Sequence, residues 1–140
     1  MGVHEDASQF NFLLNNFVRG TSGVSSAVAV SSDGLLMARS ETLDDAGADQ
    51  VAAIISGFVS LGQGAARCFA FDRLSQVIVA MRGGYLFVSS MSNAGCLGVV
   101  ATPQCDIGNV GYQMALLVER AGQMLTPELV TELKSLVLAG

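Results

Sequence analysis

The sequence predicts a three-layer α/β fold: a five-stranded antiparallel sheet in the order 2-1-5-4-3, with helix two on one face and helices one and three on the other. Three observations carry that expectation. The periodicities along the chain read helix, two strands, helix, three strands, helix, helix. Every strand-to-strand link is short, which suits hairpins and an antiparallel sheet. The runs Val-Ile-Val-Ala-Met at 77–81 and Tyr-Leu-Phe-Val at 85–88 are apolar at both parities, so both faces of the sheet need cover. With strand five returning to pair with strand one, strands two and three become the edges.

The elements follow in order. Phe10, Leu13, Leu14 and Phe17 recur at i, i+3, i+4 and i+7, one face of helix one, and Gly20 with Gly23 ends it. Residues 25–30 turn β-branched and small. Asp33-Gly34 then offers the positive φ angles of a tight hairpin turn before Leu35, Leu36, Met37 and Ala38. Residues 41–49 are a polar link in which Asp44, Asp45 and Asp49 complement the start of helix two. Asp72 and Arg73 mark a turn. Three apolar runs follow at 77–81, 85–88 and 96–101, separated by Arg82-Gly83-Gly84 and by Ser92-Asn93-Ala94-Gly95. Asp106 is placed to cap helix three, whose stripe is Ile107, Val110, Met114, Leu117, Val118, Ala121 and Leu125. Thr126-Pro127-Glu128 has the cap, first-turn proline and early acid of a fourth helix, with Leu129, Leu133, Leu136 and Val137 on one side.

These elements fit one domain over 1–140, with 1–8 as a flexible leader and 126–138 as a closing helix. The chain is 51% hydrophobic and only 14% charged, too apolar for disorder and short of polar surface for a small monomer. A net charge of −5 without a Lys/Arg cluster argues against nucleic acid, and equally against docking on anionic lipid. Cys68, Cys96 and Cys105 lack the paired spacings of a zinc or redox motif, which fits reduced thiols in a cytosol. The first residues, Met-Gly-Val-His-Glu-Asp, carry neither a signal-peptide pattern nor the Ser/Thr of a myristoylation motif. A cytoplasmic chain with no membrane insertion is expected.

Residues 50–66 carry no charge. Gln50, Ser56, Ser60 and Gln63 interrupt the stretch and Asp49 and Arg67 close it, which argues for a buried helix rather than a bilayer span. Val51, Ile55 and Phe58 fit a face toward the sheet, while Ala53, Gly57, Ser60 and Gly64 form a neighbouring face of small residues. Gly57, Gly62 and Gly64 each cost roughly 1 kcal/mol of helix propensity, a cost that asks for a packing reason. Strand three, 76–81, has no lysine, proline or inward charge to guard an edge. Both features point to a homodimer whose interface includes Ala53, Ile54, Gly57, Ser60, Leu61, Gly64, Val77 and Val79. The competing readings are a frayed helix end from Gly62 onward, or small residues fitted against the domain's own helices.

No catalytic constellation emerges. His4, the single histidine, lies in the leader, so hydroxyl or thiol nucleophiles have no evident base. No residues have metal-ligand spacing, and no cofactor site is expected. Cys68 and Cys96 read as buried small hydrophobes and Cys105, in a loop, as the most reactive thiol. Gly62-Gln63-Gly64 lacks the lysine and Ser/Thr of a phosphate loop. Asp44, Asp45 and Asp49 could hold a metal or a basic partner, but a solvated helix start explains them more simply. Arg82 stands where an arginine finger could project, although a turn arginine is more often plain surface.

The segment 24–40 with its Asp33-Gly34 turn, Ala48-Asp49-Gln50 entering helix two, Gly83-Gly84-Tyr85-Leu86-Phe87-Val88, and the run Gly-Tyr-Gln-Met-Ala-Leu-Leu-Val-Glu-Arg at 111–120 occur in an order that resembles the roadblock/dynein-light-chain family, in particular its actinobacterial branch. The resemblance spans about residues 9–135. It implies an α/β/α domain that homodimerises through helix two and strand three into one continuous sheet. It also implies a non-enzymatic protein. Bacterial members are similar to the gliding-motility partner that activates a Ras-like GTPase, and the actinobacterial branch is typically encoded beside a sensor kinase and a small GTP-binding protein. The expected function is therefore a dimeric regulator or scaffold for a small GTPase; the alternative is an assembly subunit that links a sensor kinase to its output without affecting GTP hydrolysis. In such systems the GTPase's own residues are repositioned, so the resemblance assigns Arg82 no finger role.

Overall fold

The computed structural model describes residues 2–91 and 94–139. The chain runs α1 (Val3–Gly20), β1 (Val24–Ser31), β2 (Leu36–Arg39), α2 (Asp45–Cys68), β3 (Gln76–Met81), β4 (Gly84–Met91), β5 (Gly95–Ala101), α3 (Ile107–Met124) and α4 (Pro127–Ala139). The sheet order is β2-β1-β5-β4-β3 and every pairing is antiparallel, as the sequence predicts.

The sheet separates two apolar cores. On one face, Phe10, Leu14 and Phe17 of α1, Val110, Met114 and Leu117 of α3 and Leu129 and Leu133 of α4 pack over Ala27, Ala29, Phe87, Leu97 and Val99. On the other, Ala48, Ala52 and Ile55 of α2 cover Val28, Val30, Leu86, Val88 and Cys96. The alternation of Val28/Val30 with Ala27/Ala29 sends apolar side chains both ways, which is why these strands read as continuous hydrophobic runs.

The approach of α2 depends on Gly98 in the middle of β5. A Cβ there would overlap Ile55 Cδ1 and come within 2.7 Å of Ile55 Cγ1, so the absent side chain is the space that Ile55 fills. By length and composition alone α2 is apolar enough to cross a bilayer, so Asp49 and Arg67 do not exclude a span as expected; the burial of one face of α2 against the sheet is the stronger argument.

Several boundaries differ from expectation. Residues 3–8, part of the expected leader, lie in α1, which starts at Val3, and Ala7 is buried one turn before Phe10. His4 is accordingly on a helix, 3.3 Å from Glu132 of α4. The start of α2 lies a turn before Asp49: Asp44 is the N-cap and its Oδ1 accepts from the Gly47 amide at 2.7 Å. In the β1–β2 turn only Gly34 of the Asp33-Gly34 pair has positive φ, at 84°. The Gly34 amide donates to the Ser31 carbonyl at 2.9 Å. Of the expected Ser92-Asn93-Ala94-Gly95 turn, Ser92 and Asn93 lie outside the described residues. The caps at Asp106 and Thr126 form as expected, accepting from the Asn109 and Leu129 amides, each at 3.1 Å.

Candidate interaction surface

The two edges of the sheet are treated differently. α4 packs along β2 and against α1, so that edge is screened by a helix. Among the described residues no element packs along the free edge of β3. Its last residue pairs with Gly84 across the two-residue turn Arg82-Gly83, and the Ser90 amide donates to the Ser75 carbonyl at 3.1 Å. Those two pairs fix the ladder: Val77, Val79 and Met81 hydrogen-bond β4, and the backbone groups of Gln76, Ile78 and Ala80 face outward. A six-residue strand thus presents an unpaired apolar edge, with Ile78 46% exposed.

Beside this edge runs the outer face of α2. Ala53, Ile54, Gly57, Ser60 and Leu61 are exposed and Gly64 is half-buried; Ile54 is 46% and Leu61 74% accessible. Nothing lies within 4 Å of a Cβ placed on Gly57, so that glycine is not fitted against a helix of its own domain. Gly62 is different. A Cβ there would sit 2.7 Å from Leu74 Cδ2, so Gly62 lets the α2–β3 connection pack back onto the helix. The helix continues to Cys68 without fraying from Gly62. Val77 and Val79 point to the α2 side and are half-buried by the chain's own second core. All eight residues singled out from the sequence therefore belong to two adjacent elements, six on the open face of α2 and two under it.

The sequence reading missed Phe69 and Phe71, which follow α2 and are 63% and 70% exposed. Their signal was two aromatic residues directly after a helix end, with no apolar partner at helical or strand spacing. It also misplaced Cys68, which is exposed; by helical spacing Cys68 continues the Ile54-Leu61 stripe. Cys105 is half-buried. Cys96 is buried as expected, and burial pushes its thiol up to about 11.

A cleft of about 550 Å³ lies between α2 and the ends of the two hairpins, lined by Ser31, Ser56, Ser60, Gln63, Ser90 and Cys96 among others. Its hydroxyls have no imidazole beside them, because His4 contacts Glu132 in the opposite layer. Asp33 at its rim is engaged by Ser31 and, at 3.2 Å, by Lys134 of α4. Asp44 and Asp45 are likewise occupied, in the α2 cap and in a 3.0 Å ion pair with Arg39. Among the described residues no group of three or more His, Cys, Asp or Glu could hold a metal.

Comparison with solved structures places this architecture. A Roadblock/LC7 domain from Streptomyces avermitilis is 36% identical over 79% of this chain and 92% of its own, with a TM-score of 0.74. A second domain of that description from the same genus is 31% identical, covering 80% of this chain and 97% of its own, with a TM-score of 0.67. MglB of Myxococcus xanthus has the same fold, with a TM-score of 0.75 over 84% of this chain and 94% of its own at 13% identity. No curated protein sequence matches the chain significantly. The family model described as Roadblock/LC7 domain matches residues 11–101, from α1 to the end of β5, and the chain belongs to the Roadblock/LC7 family.

Proposed function

We propose that the protein is a non-enzymatic homodimeric regulator that binds a small Ras-like GTPase in a bacterial signalling system and acts from the cytoplasm. The observation that carries this reading is the open face of α2, Ile54 and Leu61 with Gly57 between them, beside the unpaired edge of β3 that carries Ile78. An edge of that kind favours pairing with another strand, and a two-fold axis lets the chain supply that strand itself. Outward backbone groups on Gln76, Ile78 and Ala80 fit an antiparallel pairing in which Ile78 lies opposite its own copy. Membership of the Roadblock/LC7 family and the fold shared with MglB support the step from dimer to GTPase regulation. The regulator would work by positioning the GTPase's own residues through apolar contact with this surface.

The test is direct. The purified chain is mixed with the small GTPase encoded nearest to its gene, and complex formation and single-turnover GTP hydrolysis are measured. Binding with an altered hydrolysis rate is the expected result. Absence of both would overturn the GTPase reading, and capture of a co-encoded sensor kinase with unchanged hydrolysis would favour an assembly role.

A further inference from the structure

We infer that charge sets the register between two copies of this chain: Asp49 at the start of α2 in each copy meets the Arg67–Arg73 end of α2 in the other. The inference rests on the two-fold pairing through α2 and β3. Within one chain α2 is charged only near its ends. Asp44, Asp45 and Asp49 stand at its start, Arg67 closes it, Arg73 follows in the turn, and residues 50–66 between them carry no charge. Asp49 and Arg67 are separated by about five whole turns, so they share one side of the helix roughly 27 Å apart. At a Debye length of about 8 Å the two ends of one helix are screened from each other. Two copies related by a two-fold axis run their α2 helices antiparallel, which exchanges the ends and brings acid to arginine twice.

Service to their own helix accounts for only some of these charges. Asp44 caps α2 through the Gly47 amide, and Asp45 pairs with Arg39 at 3.0 Å. Asp49 does neither. It is exposed, lies beyond the first turn over which a helix dipole acts, and has no ion pair among the described residues. Arg67 sits in the last turn, where the dipole favours it, but Arg73 lies past the helix end. Both arginines are exposed and without an ion pair among the described residues. Asp72 beside Arg73 reduces the excess at this end to one positive charge, which matches the single acid at the other end that neither caps nor pairs. A parallel arrangement would set acid against acid and arginine against arginine. Like charges across an interface disfavour it, so the charges select the antiparallel one.

The experiment is sedimentation equilibrium of the full chain, which reads the dimer dissociation constant. Arg67→Glu with Arg73→Glu, and separately Asp49→Lys, should each weaken the dimer about tenfold, because the two-fold axis makes every lost contact count twice. All three side chains are exposed, so both variants should keep native circular dichroism. Mixing the two variants restores one contact of the original polarity and one of the reversed polarity. The mixture should therefore reach the dimer mass at a concentration where each variant alone is monomeric. Arg19→Glu with Arg120→Glu makes the same change of net charge on exposed positions of α1 and α3, and should leave the dimer intact. If the wild type dimerises and the charge variants dimerise equally well, or weaken without rescue on mixing, the charge register is overturned and the dimer itself stands. A wild type that is monomeric at every concentration overturns both.

Discussion

Ser40 shows how one hydroxyl can secure a strand end. It is fully buried; its amide donates to the Ala27 carbonyl at 2.9 Å and its Oγ accepts from the Ala27 amide at 3.1 Å. The side chain thus continues the β1–β2 ladder where β2 has ended. Ser40→Ala leaves the buried Ala27 amide without a partner, and should cost about 1–3 kcal/mol in urea unfolding followed by far-ultraviolet circular dichroism. Asp33 works at the surface instead. The Ser31 hydroxyl and Lys134 hold its carboxyl below the usual 3.8, so the folded state favours the carboxylate. A depressed value stabilises the fold above the ordinary pKa and loses that contribution as pH falls through the folded one. The tether between the β1–β2 turn and α4 should therefore weaken below pH 3.8, and Asp33→Asn should remove that part of the acid dependence in a circular dichroism titration.

At the scale of elements, most of the fold was legible because four of the five strands carry β-branched or aromatic runs, the Leu-Met-Ala-Arg of β2 is announced by the Asp33-Gly34 turn before it, and each later helix has a capping residue in the sequence. Asp44, Asp106 and Thr126 all cap, although only Asp106 and Thr126 were assigned that role. The start of α1 was misread for lack of polar contrast, yet Val3, Ala7, Phe10, Leu14 and Phe17 continue one i, i+3/i+4 stripe back to the helix start. What could not be read was the distance between layers. Gly98 is an isolated glycine in an apolar strand, a pattern that marks a close approach without saying to what. Gly98→Ala should push Ile55 off the sheet and destabilise the fold by about 1–3 kcal/mol, and adding Ile55→Val should recover part of the loss in the same unfolding assay. An unchanged stability would mean that α2 shifts freely over β5.

The whole molecule is asymmetric in how it closes. α4 screens the β2 edge, whereas among the described residues the β3 edge and the outer face of α2 stay open and contiguous. Of the eight residues expected at an interface, Ala53, Ile54, Gly57, Ser60 and Leu61 are reachable by a partner without any rearrangement, Gly64 is half-buried on the same helix, and Val77 and Val79 support the edge from beneath. Two substitutions separate an interface role from a folding role. Ile54→Asp places a charge on the open face of α2 and touches no fully buried residue position, so it should yield a folded monomer by size-exclusion chromatography with light scattering. Ile78→Pro removes an outward amide and leaves the β4 ladder intact, because proline is tolerated on an edge strand where its missing amide faces away from the sheet. It should also give a monomer, with native circular dichroism. Val79→Pro is the control: its amide belongs to the β4 pairing, and its loss should unfold β3 rather than split a dimer. If Ile54→Asp and Ile78→Pro both leave the molar mass of a dimer, the copies meet elsewhere and the open stripe faces a different protein.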